Sequence, residues 1–168
     1  MLIYDFSDKN LVSKLGTQWR GVSDKVMGGV SEASLSQTII DKRNCLLLEG
    51  DVSLENNGGF IQASLDLGKS GYTLDVSTYI GIRLVARGNG EEYSVHLRTP
   101  DNIHPWQSYR NQFISTKDWQ TIDLPFLAFL PHRLDARLDL SCLRRLGLAA
   151  IGREFSANLA ISKISFYN

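Results

Sequence analysis

Hydrophobic and polar side chains alternate along most of this chain, and a period of two predicts strands that turn one face to a core and the other to solvent. In residues 46–54 the inward set is Leu46, Leu48, Val52 and Leu54, against Glu49, Asp51 and Ser53. Behind the turn residues Asn57-Gly58-Gly59, residues 59–66 put Ile61, Ala63 and Leu65 inward and Gln62, Ser64 and Asp66 outward. Ile80, Ile82, Leu84 and Ala86 define the next strand, with Arg83 and Arg87 on its other face. Tyr93, Val95 and Leu97 then point inward, with Ser94, His96 and Arg98 outward. The intervening Gly88-Asn89-Gly90 reads as a hairpin turn, because residues that accept positive φ suit the tight primed turns.

Further strands are predicted at 109–115, 119–124, 146–151 and 159–167. In the last, the inward phase slips by one residue between Leu159/Ile161 and Ile164/Phe166, as a β-bulge would make it do. One short helix is predicted near the start, with Ser7 capping residues 8–15 and Gly16 ending it. Roughly eight to ten short strands with frequent turns, and no βαβ rhythm, predict an all-β antiparallel sandwich of jelly-roll type.

Composition narrows the picture. With 168 residues, 43% hydrophobic and 21% charged, the chain reads as one globular domain over residues 1–168. Eighteen basic residues balance eighteen acidic ones, so no long-range field favours nucleic acid or anionic lipid as a partner. The opening Met1-Leu2-Ile3-Tyr4-Asp5-Phe6 has neither the basic start nor the apolar run of a signal peptide, and no later run suits membrane insertion. Cys45 and Cys142, far apart in sequence, read as reduced thiols. A cytoplasmic location is the resulting expectation.

The most distinctive stretch runs from Trp19 through Ser23, Asp24, Met27, Gly28 and Gly29 to Ser31. Asp24 or Ser23 can bond nearby backbone N–H groups, Gly28-Gly29 can take φ values closed to other residues, and Trp19 can anchor the segment. It reads equally as a stiff structural loop or as part of a recognition surface. A phosphate loop is rejected, since the Gly spacing and the following Lys-Ser/Thr are missing.

Catalytic constellations do not converge. Asp24, Glu49, Asp51, Glu91 and Glu92 are scattered, and His96, His104 and His132 have no metal-ligand spacing. No catalytic residue, metal or cofactor is therefore expected, with structural calcium left as an open alternative. Pairing across the Gly88-Asn89-Gly90 turn would gather Arg83, Arg87, His96 and Arg98 on one sheet face, neutralised by Asp66, Glu49 or Asp51 or else open to a carboxylate, a sugar or an acidic segment. Trp106 and Tyr109 are the candidate aromatic part of that face, whereas Trp119 reads as core.

A series of residues then carries a family resemblance. Trp19, the block Ser23-Asp24-Lys25-Val26-Met27-Gly28-Gly29-Val30-Ser31, Gly50, Asn57-Gly58-Gly59-Phe60, Arg83, Gly88-Asn89-Gly90, Tyr93, Arg98, Phe113, Trp119, Leu124-Pro125-Phe126 and Leu146-Gly147 resemble the complex I intermediate-associated protein 30 family, here as a stand-alone bacterial-type member. That resemblance implies a galactose-binding-like jelly roll and a non-catalytic, chaperone-like assembly role with a protein partner, such as a respiratory-complex assembly intermediate. The alternatives are a carbohydrate-binding module, with a glycan as ligand, and an enzyme with a cleft not visible in sequence.

Overall fold

The computed structural model describes residues Met1–Asn168, which form two antiparallel sheets facing each other. In chain order the strands are β1 (Leu2–Tyr4), β2 (Arg20–Ser23), β3 (Ser34–Ile40), β4 (Arg43–Val52), β5 (Phe60–Asp66), β6 (Gly81–Arg87), β7 (Glu92–Arg98), β8 (Ser108–Ile114), β9 (Gln120–Pro125), β10 (Leu130–His132), β11 (Arg145–Ile151) and β12 (Phe155–Tyr167). Sheet one has the order β3-β4-β12-β6-β9, with β1 also paired to β12. Sheet two has the order β10-β8-β7-β11-β5-β2. The all-β jelly-roll expectation is thereby met. No helix is long and apolar enough to cross a membrane.

The period-two pattern explains the interior. Ile61, Ala63 and Leu65 from β5, Tyr93, Val95 and Leu97 from β7, and Leu146, Leu148 and Ala150 from β11 meet Leu46 and Leu48 from β4, Ile82, Leu84 and Ala86 from β6 and Ile164 and Phe166 from β12 in one buried cluster. Each inward-facing strand thus gives up about every second side chain to a shared apolar layer. The expected bulge in β12 is present as a register shift between Ile161 and Lys163 against β6. It lets this 13-residue strand hold the core with both of its halves. Two residues assigned inward, Leu54 and Ile80, lie just outside their strands and are exposed.

Two expectations fail for identifiable reasons. Residues 8–15 form bends and turns instead of a helix. Their carbonyls have distant partners: the Tyr4 hydroxyl donates to the carbonyls of Asp8 and Asn10, Gln37 Nε2 to those of Phe6 and Asp8, and the Trp19 N–H to that of Leu11. Ser7 donates its hydroxyl to Asp5 instead of capping a helix. Tertiary partners outweigh a weak local propensity.

Gly88-Asn89-Gly90 is not a hairpin either. β6 pairs with β12 and β9 in sheet one, and β7 pairs with β8 and β11 in sheet two, so the turn carries the chain from one sheet to the other. Its amides bond the carbonyls of Thr116 and Ser115. Tyr93 ties the crossing down: its hydroxyl donates to Asn89 Oδ1 at 2.6 Å and accepts the Asn158 N–H at 2.9 Å, linking sheet two, the turn and β12. Tyr93→Phe keeps the ring but strips both bonds from a buried site. Unfolding in urea is expected to show a loss of about 1–3 kcal/mol with an unchanged m-value; a loss near zero would show that the two bonds do not hold the crossing.

Candidate functional site

The outer face of sheet two carries the candidate site. Across its centre, Ser64 on β5 faces Gly147 on β11, which faces His96 on β7, which faces Arg110 on β8. Small side chains at Ser64 and Gly147 keep the middle of the face low. A Cβ at Gly147 would run into the Gln62 amide, which lies across the floor. Loops raise the ends: Val26 and Met27 on one side, Asn57-Gly58-Gly59 and Ile151-Gly152 beside them, and Pro105-Trp106-Gln107 opposite. The result is a cleft of about 430 Å³, within the roughly 300–1,000 Å³ range of ligand sites.

The lip loop is held by one carboxylate. Asp24 has no solvent exposure. It accepts the Ser31 N–H (2.9 Å) and hydroxyl (2.5 Å), the Gly59 N–H (2.6 Å) and the Phe60 N–H (3.3 Å). Burial opposes its charged form, but the bonds from Ser31, Gly59 and Phe60 outweigh that and hold the carboxyl below its ordinary range. Gly29 and Gly58 press on this carboxyl so closely that neither has room for a Cβ. Ser31 Oγ also accepts the Ser53 N–H at 2.9 Å, fastening the loop to the end of β4. The Ser23–Ser31 block is therefore a brace, and the exposed Val26 and Met27 it carries form the cleft's lip. Trp19, only 2% exposed, belongs to the core.

Charge in the cleft has one sign. Its lining includes Arg98, Arg110, Arg133, Arg145, His96 and His132, and no Asp or Glu. Arg98 donates from Nη2 to the carbonyls of Asn102 (3.2 Å) and His104 (3.1 Å). Arg110 donates from Nε to Ser108 Oγ at 2.8 Å. Burial and the neighbouring Arg144 and Arg145 lower the Arg98 pKa, and burial and Arg133 lower that of Arg110. Arg145 Nε reaches Asp66 at 2.7 Å, a carboxylate shared with Arg20 at 3.0 Å. His96, 7% exposed, has an Nε2 with no partner, and burial, then Arg110 and His132, push its pKa down to about 3. Burial, Arg110 and Arg133 lower His132 as well.

The six residues expected to share one face are divided between three places. His96 and Arg98 lie in the cleft, and Trp106 stands at its rim, stacked on His104 with ring centroids 4.6 Å apart. Arg83 and Arg87 lie on sheet one, because the Gly88–Gly90 turn changes sheets. There Arg83 forms a two-pronged pair with Asp123 (2.6 and 2.7 Å), and Arg87 meets Asp41. Tyr109 is wholly buried, its hydroxyl donating to the carbonyls of Ala136 and Arg137, so it supplies core and not contact surface. The expected counter-ions are corrected too: Asp66 serves Arg20 and Arg145, while Glu49 and Asp51 accept from Asn158 and Ser156. Trp119 is half-buried beneath Arg43. Sequence reasoning overlooked Arg110, His132, Arg133 and Arg145, although inward Tyr109/Phe113 and Leu146/Leu148 already place Arg110 and Arg145 outward.

Two measurements follow. The fold keeps His96 unprotonated down to about pH 3 whereas the unfolded chain binds that proton near 6.5, so this stability is complete above about pH 6.5 and falls as pH drops, by up to about 1.4 kcal/mol per unit. His132 adds to the same slope. Urea titrations between about pH 6.5 and 4.5, above most carboxylate titration, are expected to show a flatter slope for His96→Gln than for wild type; equal slopes would mean the folded ring takes up the proton. Asp24→Asn, which replaces a four-fold acceptor, is expected to cost about 3 kcal/mol, and proteolysis at the Lys25–Gly29 lip should accelerate with it.

No curated protein matches the chain. Among solved structures it is similar to a family 11 carbohydrate-binding module from Clostridium thermocellum in complex with a β-1,3-1,4-mixed-linked tetrasaccharide, with a TM-score of 0.75 at 16% identity over 99% of this chain and 94% of that one. It is likewise similar to a family 30 carbohydrate-binding module of a Clostridium thermocellum cellulosomal cellulase, with a TM-score of 0.69 at 16% identity over 99% and 98%. At 16% identity these likenesses show a shared fold alone. Residues 4–161 match the family described as complex I intermediate-associated protein 30, and the chain belongs to that family.

Proposed function

We propose that this chain is a non-catalytic binding domain that seats an extended segment of a protein partner in the sheet-two cleft and acts as an assembly factor. The observation that carries the reading is the make-up of the cleft: arginine and amide donors on a braced floor, bounded by the apolar side chains of Val22, Val26, Met27, Phe60, Trp106 and Ile151. Interfaces that hold protein partners combine buried aromatic, methionine and arginine contacts in this way. The family's description as complex I intermediate-associated supports a respiratory-complex assembly intermediate as the partner.

A glycan is the second reading, favoured by the exposed Trp106 ring at the rim and by the fold shared with carbohydrate-binding modules. A photo-crosslinking residue at Met27 separates the two. In native cells it is expected to join the domain to one complex I subunit, while the same residue at the exposed Leu127, outside the cleft, gives no such adduct. Equal adducts from both positions would remove the cleft as the protein-binding site, and none from Met27 together with saturable heat on titration with a mixed-linked glucan would replace the protein reading with the glycan.

A further inference from the structure

We infer that the cleft selects for carboxylates: its occupant is an extended partner segment carrying Asp or Glu side chains, gripped by Arg110 and Arg145 beside the fixed charge of Arg98. This deepens the protein-binding reading and rests on it.

The inference begins with a contrast inside one molecule. The chain has equal numbers of acidic and basic residues. Outside the cleft, Arg83 faces Asp123, Arg87 faces Asp41 and Arg153 faces Glu91, each within 4 Å. Arg98 and Arg110 differ. Both are half-buried, and the oxygens they touch are neutral: backbone carbonyls for Arg98, and the Ser108 hydroxyl and Trp106 carbonyl for Arg110. Arg145 must share Asp66 with Arg20. The lining therefore concentrates positive charge in a partly desolvated recess that the protein's own carboxylates neutralise only in part, Asp66 at Arg145 being the one ion pair among these three arginines.

That positive charge is also fixed in place. The Arg98 fork is anchored on the carbonyls of residues 102 and 104, and its Nε remains a buried donor without a partner. Ser108 steadies the Arg110 Nε, and Gly147 leaves the floor clear between the strands that carry these groups. Guanidinium groups set in advance lose little freedom on binding; Arg98 contributes its fixed charge, while the Nη edges of Arg110 and Arg145, whose Nε atoms are held by Ser108 and Asp66, match a carboxylate in two-pronged geometry.

The chemistry also separates classes of ligand. Sugar hydroxyls donate as well as accept, and the lining offers them only the amide and hydroxyl oxygens of residues such as Asn57, Gln62 and Ser64, whereas every charged group in it donates and so matches an acceptor-only carboxylate. Trp106, with one face against His104, and Phe60 are the only indole and phenyl rings in the lining, where a nucleic acid strand would stack several bases. The six apolar side chains of the lining instead suit the apolar residues of an extended peptide whose acidic side chains reach the arginines.

The test uses a fluorescein-labelled peptide of alternating Val and Glu, its Gln-for-Glu counterpart, oligogalacturonate, a mixed-linked glucan and an oligothymidylate, with anisotropy read at roughly 50 mM salt, where screening is modest. The acidic peptide is expected to bind at least about tenfold more tightly than its Gln counterpart and to lose about tenfold in Arg110→Gln, the loss of a charge-assisted bond. Arg133→Gln, at an exposed position, is expected to weaken it in the same direction, so the outcome does not depend on one variant folding. Arg83→Gln, on the other sheet, should leave binding unchanged and so exclude general charge attraction. Equal binding of the Glu and Gln peptides would overturn carboxylate selection while leaving the peptide cleft standing. Preference for oligogalacturonate, the glucan or the oligothymidylate, or no saturable peptide binding, would overturn the inference, and a saturating sugar would take the protein-binding reading with it.

Discussion

A carboxylate sealed from water sits where the lip loop, the start of β5 and the end of β4 converge. Asp24 receives donors from Ser31, Gly59 and Phe60, and Ser31 passes the connection on to Ser53. A buried anion is tolerable only when its lone pairs are filled, so every segment that supplies a donor is confined to one arrangement. Two glycines complete the constraint, because any side chain at Gly29 or Gly58 would displace the carboxyl. The shape of the cleft follows from this. Val26 and Met27 project from a short 3-10 turn whose two ends are both secured, and Phe60 enters β5 from the same knot.

The opposite wall is built on different terms. There the guanidinium of Arg98 organises the carbonyls of the segment leading to Trp106, and positive charges crowd one another with few acids among them. Crowding of this kind is paid in desolvation and repulsion, which lower the pKa of both histidines between the arginines, that of His96 to about 3. An anionic centre thus braces one wall, and a cationic one lines the floor and the other wall.

The all-β sandwich was legible because alternation is a local property: the inward sets of β5, β7 and β11 can be read directly from the chain. Less legible was which strands would be neighbours. The Gly88-Asn89-Gly90 turn has hairpin chemistry, yet it spans the sandwich because β6 is claimed by β12 and β9 and β7 by β8 and β11. From that one error the supposed face combining Arg83 and Arg87 with His96 and Arg98 followed. The same alternation placed Arg110 and Arg145 outward, but only the order of sheet two puts them beside His96 and Arg98. The helix assigned to residues 8–15 failed because Tyr4, Gln37 and Trp19 take the carbonyls that a helix would have used. Asp24 was recognised as a possible loop-former, while its complete burial depended on Gly59 and Phe60, more than thirty residues away.

The border strand β10 bears on how such a face can remain open. It has three residues, and the middle one, Pro131, has no amide hydrogen to offer on either side. An incoming ribbon finds too few donors there to extend the sheet. Recognition at this border must proceed through side chains and not through backbone zippering, so the concave surface is displayed beside an edge that does not seed edge-to-edge polymers.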